Sequence, residues 1–119
     1  MGKAITEKVD ITPQSITPTF NTSQSDYSVP FSNTKVKTIG KVCYFTSTIR
    51  ADSPYNTNPG RVIYTGLPKP SDNDTVYIAA CAWTSTSNMR VIVNNSGELL
   101  CRGGGASVDY DISFSYVTA

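Results

Sequence analysis

The sequence contains no histidine, which removes the commonest general base and the commonest metal-binding side chain. Histidine-dependent catalytic triads and metal sites are therefore excluded. Charged residues make up only 16% of the chain, and 10 basic against 9 acidic residues leave a net charge of +1. Because no long run of one sign exists, we expect neither a nucleic-acid partner nor a polybasic membrane patch.

Cysteine is scarce, and its number is odd: Cys43, Cys81 and Cys101 cannot all pair within one chain. Each lies inside an apolar, strand-like run, so we expect three small buried thiols. A disulfide between Cys81 and Cys101 on neighbouring strands is the alternative. Zinc is disfavoured, because histidine and the CxxC spacing are both missing. The sequence thus predicts no metal and no cofactor.

Long hydrophobic runs are also missing, and the apolar run at residues 76–83 has only eight residues. A membrane-spanning helix needs roughly 20, so membrane insertion is not expected. Turn-forming clusters lie on both sides of this run. A short apolar run between turns predicts a strand buried on both faces, and a buried helix segment is the competing interpretation. We expect this segment to be the central strand of the fold.

The other segments predict partner strands for residues 76–83. Pro13 and Pro18 interrupt residues 3–20, which predicts one or two edge strands or an extended arm. A loop with one short strand follows at residues 21–34. The remaining strand patterns lie at residues 35–50, 61–65, 89–93, 98–102 and 110–117. Residues 94–97 read Asn-Asn-Ser-Gly, a strong hairpin signal.

Side-chain alternation indicates which faces of these strands are buried. In residues 35–50, Cys43, Phe45 and Ile49 share one face, and Val42 and Tyr44 share the other. In the last strand, Ile112, Phe114 and Tyr116 are expected to point inward. Seven to nine short strands with proline, glycine and asparagine turns predict an all-β fold, an antiparallel β-sandwich of jelly-roll type. We expect one domain over residues 1–119, with residues 1–38 as lead-in strands or an arm.

Aromatic and polar loop residues supply the candidate ligand-binding side chains. Sugar rings stack on exposed aromatic faces, while amides, carboxylates and guanidinium groups bind their hydroxyls. The candidates are Tyr55, Asn56, Asp72, Trp83, Asn88 and Arg90. The alternative is that Trp83 belongs to the core and Tyr55 is an ordinary surface residue.

Two carboxylate pairs are candidates for a catalytic or calcium site, because residues i and i+2 of a strand share a face. Asp72 and Asp74 flank an asparagine, as in an ordinary turn. Asp109 and Asp111 flank Tyr110 at positions expected to face solvent. We therefore expect no enzymatic activity.

Residues 39–119 resemble a known family over about two thirds of the chain. The segments GKVCYFTSTIRA, GRVIYTGLPKPS, VYIAACAWTSTSNMRVIVNNSGELLC and ISFSYVTA follow its recurring order. They are similar to the C-terminal head or tip domain of tail fibres and receptor-binding baseplate proteins from phages and prophages of Gram-positive bacteria. The family has no fixed binding motif, so no ligand residue is carried over.

The resemblance implies a jelly-roll β-sandwich, a homotrimer and non-catalytic adhesion to a cell-wall or capsular glycan of the host. Its implied location is the virion tail, after synthesis in the bacterial cytoplasm. The strand pattern agrees on one point, since apolar Val42 and Tyr44 on the second face favour burial between subunits. Two alternatives stay open: a monomeric carbohydrate-binding module of a bacterial enzyme, and a structural trimerisation domain without a ligand.

Overall fold

The computed structural model describes residues 12–71, 76–81 and 87–119. In these ranges the chain forms ten strands in two antiparallel sheets. The strands are β1 (Gln14–Ile16), β2 (Thr19–Phe20), β3 (Tyr27–Ser28), β4 (Lys35–Ile39), β5 (Val42–Ala51), β6 (Arg61–Thr65), β7 (Val76–Cys81), β8 (Asn88–Val93), β9 (Leu99–Gly103) and β10 (Val108–Val117). No helix within the described ranges is long and apolar enough to cross a bilayer.

The two sheets share one apolar core, which confirms the predicted all-β antiparallel sandwich. In the first sheet the order is β1-β4-β5-β10, and β3 pairs with the end of β5. β10 pairs with β5 along the whole length of both strands. The other edge of β5 pairs with β4 near its start and with β3 at its end. The second sheet has the order β2-β6-β9-β8-β7.

Strand β5 shows how the sequence pattern becomes two faces. Cys43, Phe45 and Ile49 are fully buried, whereas the Tyr44 side chain between them is 39% exposed. β10 alternates in the same way, with Ile112 and Tyr116 buried. These faces were predicted correctly, because successive residues of a strand point to opposite sides of the sheet.

Residues 35–50 form a hairpin rather than the single strand that the pattern predicts. Ile39 pairs with Val42, so Gly40 and Lys41 make a two-residue turn between β4 and β5. Gly40 has a φ of 59°, the left-handed conformation that such turns require. The strand prediction was wrong here because apolar alternation continues through the turn, and a single glycine is a weak signal for a break between strands.

The apolar run at residues 76–83 is a strand over Val76–Cys81, but its position differs from the prediction. Among the described strands, β7 pairs only with β8 and lies at the end of the second sheet. Ala80 is nevertheless only 5% exposed, and β7 lies close to β10 of the first sheet. Ala80 is buried against the opposite sheet. An apolar run in the sequence is expected both for a strand buried in this way and for a strand in the centre of its own sheet. Ala82 and Trp83 lie outside the described residues.

The N-terminal strands confirm the expected edge positions. β1 lies at one end of the first sheet and β2 at one end of the second, and Pro13 and Pro18 precede them without joining a ladder. Residues 1–11 of the predicted lead-in over residues 1–38 lie outside the described part of the chain. The strand number exceeds seven to nine because β1, β2 and β3 have only two or three residues each.

The core joins the sheets through aromatic and thiol side chains. The Phe45 and Tyr64 rings meet edge to face with centroids 6.2 Å apart, and this contact links β5 to β6. Cys43 and Cys101 are buried free thiols, as predicted. The alternative Cys81–Cys101 disulfide is contradicted, because Cys101 is free; the Cys81 side chain itself lies outside the described part.

Candidate functional site

The loop between β5 and β6 is fastened to the end of β9 by one buried tyrosine. The Tyr27 hydroxyl donates to the Gly103 carbonyl (2.9 Å) and accepts from the Tyr55 backbone N–H (3.1 Å). The Gly103 N–H in turn donates to the Tyr55 carbonyl at 2.8 Å. Tyr27 is 1% exposed, and burial raises its pKa to about 12. These bonds place Asn56, the next residue of the loop, beside the β8–β9 hairpin.

A cavity of about 320 Å³ lies where this loop meets the hairpin. We call it the arginine pocket. Its lining consists of Asn56, Asn88, Met89, Arg90, Arg102 and Gly103. A Cβ at Gly103 would lie in ordinary contact with the Asn88 carbonyl oxygen (3.5 Å) and with Asn56 Oδ1 (3.9 Å), so the missing side chain leaves that space free. The pocket therefore offers amide and guanidinium groups around a small concave space.

The register of the hairpin sets two arginines side by side. Arg90 of β8 lies directly opposite Arg102 of β9. The Arg102 Nη1 donates to Asn58 Oδ1 at 2.7 Å, so a neutral amide holds this guanidinium. Among the described lining residues there is no carboxylate. The described part of the lining thus contains two guanidinium groups.

Tyr55, a predicted stacking platform, has one face of its ring covered by an arginine. The Arg61 guanidinium carbon lies 4.2 Å above the centre of its ring, and Arg61 Nε donates to Asp26 Oδ2 at 2.8 Å. The ring also packs against the hydrophobic core. Because one face is covered by Arg61, Tyr55 is not free to stack on a sugar from that side. Its backbone instead anchors the loop that carries Asn56.

Three of the six predicted site residues meet in the arginine pocket: Asn56, Asn88 and Arg90. Tyr55 lies in the adjoining loop and does not line the pocket. Asp72 and Trp83 lie outside the described residues, so their predicted roles stay predictions.

Arg102 is the main pocket residue that sequence reasoning missed. Its signal was present, since the hairpin pattern predicted that β8 and β9 are neighbours. The predicted four-residue connection, however, gives the wrong register. The Asn94 N–H donates to the Glu98 carbonyl (3.0 Å), and Val93 pairs with Leu99, so five residues connect the strands. With that register, Arg90 and Arg102 become opposite neighbours.

The carboxylates of β10 make structural contacts, and both face outward as predicted. Asp109 Oδ1 accepts from Arg50 Nη1 at 3.2 Å. Asp111 Oδ1 accepts from Thr48 Oγ1 at 2.9 Å. Each aspartate therefore ties β10 to β5 on the outer face of the first sheet.

A second cavity, of about 630 Å³, lies beside this outer face. Tyr44, Thr46 and Lys37 line it from β4 and β5, and Ile16 lines it from β1. Tyr44 was expected to lie on a face buried between subunits, and in the single chain its side chain is partly exposed. This cavity combines an aromatic ring with a lysine and a hydroxyl group.

Comparison of the sequence with protein-family models and with curated proteins finds no match.

Proposed function

We propose that this domain is a non-catalytic adhesion module that binds a saccharide on the surface of a bacterial host, at the tip of a phage tail fibre or baseplate protein. The observation that carries the proposal is the convergence of Asn56, Asn88 and Arg90 in one pocket. Amide and guanidinium groups are the side chains that bind sugar hydroxyls. The antiparallel sandwich and the resemblance of residues 39–119 to tail-tip domains supply the biological setting.

The first experiment measures retention of the purified domain on Gram-positive cells and on arrays of cell-wall and capsular polysaccharide. We expect the double variant Asn56→Ala, Asn88→Ala to lose at least about tenfold in affinity, because two hydrogen-bonding amides are removed from the pocket. Asn95→Ala is the matched control, since Asn95 is exposed in the turn at the other end of the same hairpin.

Two negative results of this binding experiment would have different meanings. Equal binding by the double variant and the wild type would show that the saccharide site is elsewhere. No binding of the wild-type domain to any cell or polysaccharide would reject the adhesion role and favour a structural trimerisation domain.

We also propose that the working form is a homotrimer whose subunits meet through the outer face of the first sheet. This face carries a row of apolar side chains, Ile39, Val42 and Val117, which are cross-strand neighbours. Val117 is 55% exposed, and Tyr44 is partly exposed beside it. Apolar side chains gathered on one exposed face are typical of surfaces that bind another protein.

Light scattering after size exclusion measures the oligomeric state. We expect three times the chain mass of 12.9 kDa, and a monomer for Val117→Asp, because a charge cannot be buried unpaired at such an interface. Asn95→Asp adds the same charge at the hairpin turn and should stay trimeric. A monomeric wild type that still binds glycan would favour the carbohydrate-binding module of an enzyme.

A further inference from the structure

We propose that the arginine pocket selects saccharides that carry an acidic substituent, a phosphate or a carboxylate, and holds that group between Arg90 and Arg102. This inference rests on the proposed function, because it names the chemical class of the ligand at the same pocket. It adds a residue, Arg102, and a charge requirement that saccharide binding alone does not imply.

The argument begins with the register of the hairpin. Arg90 and Arg102 are direct partners on adjacent antiparallel strands, so they project from the same face of the second sheet. Directly opposite residues have Cβ atoms about 5 Å apart, and like charges at such positions repel one another. An anion placed between the two guanidinium groups changes that repulsion into two favourable contacts.

The contacts of Arg50 and Arg61 differ from that of Arg102. Arg50 lies within 3.4 Å of Asp52 and 3.2 Å of Asp109, and Arg61 lies 2.8 Å from Asp26. Arg102 instead donates to the amide oxygen of Asn58. That bond orients the guanidinium without neutralising it. Because the guanidinium is already oriented, less conformational entropy is lost when a ligand binds. The planar guanidinium also matches the oxygens of phosphate and carboxylate.

The rest of the pocket suits a sugar rather than a bare ion. Asn56 and Asn88 add amide groups that can donate to and accept from ring hydroxyls. The Gly103 backbone leaves room between them. The volume of about 320 Å³ is at the small end of ligand pockets, which suits a single sugar unit with its acidic substituent.

The test titrates the ¹⁵N-labelled, full-length domain with glucose, glucose 6-phosphate, glucuronate and inorganic phosphate, and follows the backbone amides of Asn88 and Gly103. We expect at least one acidic sugar to bind about tenfold more tightly than glucose. Higher salt should weaken that binding, because it screens the charges. The glucose 6-phosphate and glucuronate arms distinguish a phosphate from a carboxylate as the acidic group.

Variants then assign the effect to the two arginines. Arg102→Gln should reduce affinity for the acidic sugar about tenfold and leave affinity for glucose unchanged, whereas Arg102→Lys should retain part of the preference. Arg90→Gln should behave like Arg102→Gln. Arg50→Gln is the matched control, since it makes the same change in net charge on the other sheet and should keep wild-type affinity.

Several outcomes would overturn the inference. If glucose and the acidic sugars bind equally at these amides, the charge requirement is wrong while saccharide binding stands. If inorganic phosphate binds as tightly as glucose 6-phosphate, the pocket is an anion site and not a sugar site. If the acidic sugars bind Arg102→Gln as tightly as the wild type, the assigned residues are wrong. If no sugar shifts any amide, the saccharide-binding function fails as well.

Discussion

Replacing Gly97 with alanine is expected to destabilise the domain by about 3 kcal/mol or more, because two penalties combine at this residue. Gly97 has a φ of 75°, a conformation that costs other residues roughly 1–2 kcal/mol. A Cβ there would also collide with the carbonyl oxygen of Leu67. That carbonyl belongs to backbone held in place, since the Leu67 N–H donates to the Gly97 carbonyl at 3.0 Å and the Leu67 side chain is buried in the core.

Urea unfolding followed by far-ultraviolet circular dichroism measures this loss. Gly66→Ala is the matched control, because Gly66 has a φ of 82° and a Cβ there would meet nothing within 4 Å. We expect Gly66→Ala to show the conformational penalty alone. The difference between the two variants then isolates the collision with Leu67. Equal losses would mean that the loop moves aside freely, and that the contact between Leu67 and the hairpin turn contributes nothing to stability.

Gly97 also shows what the sequence could and could not predict about the fold. The Asn-Asn-Ser-Gly pattern correctly predicted a turn, because glycine and asparagine adopt positive φ at little cost. The contact with Leu67 depends on where a distant loop packs, and no local pattern contains that information. The same holds for β7, whose apolar residues predicted a strand but not its place at the end of a sheet.

The candidate site was predictable to a similar extent. The chemistry of Asn56, Asn88 and Arg90 and their positions in loops or at a strand end make them candidates, and the fold brings them together. Arg102 was missed because its role depends on the hairpin register, where one residue decides which side chains are opposite. The covering of one face of the Tyr55 ring could not be predicted, because Arg61 lies on a separate strand and is held by Asp26.

The stability of the domain is expected to fall steadily as the pH rises above about 9, because five buried groups keep their protons in the folded state. Burial raises the pKa of three tyrosines and two cysteines above their ordinary values of 10.0 and 9.0: Tyr27, Tyr64, Tyr116, Cys43 and Cys101. The unfolded chain releases these protons first, so rising pH favours unfolding. Their contribution is complete below the unfolded pKa values and is lost as the pH rises through the folded ones.

The pKa shift of Tyr27 sets the expected size of this loss of stability. Its pKa rises from 10.0 to about 12, so this one residue accounts for a loss of about 3 kcal/mol between pH 10 and 12. Unfolding midpoints in urea, measured across this range together with tyrosinate absorbance, should fall as tyrosinate appears. A midpoint that stays constant up to pH 11 would contradict the prediction.

The variant Tyr27→Phe distinguishes two contributions of this hydroxyl to stability: its hydrogen bonds and its titration at high pH. At neutral pH the variant should be less stable by about 1–3 kcal/mol, because the Gly103 carbonyl and the Tyr55 N–H lose their shared partner. Phenylalanine has no proton to release, so the difference from the wild type should narrow as the pH rises from 10 to 12. A difference that stays constant over that range would show that Tyr27 does not titrate with unfolding. Because this hydroxyl keeps its proton in the folded state up to about pH 12, the loop that carries Asn56 should stay attached to β9, and ligand binding at the arginine pocket should be lost only as the domain unfolds.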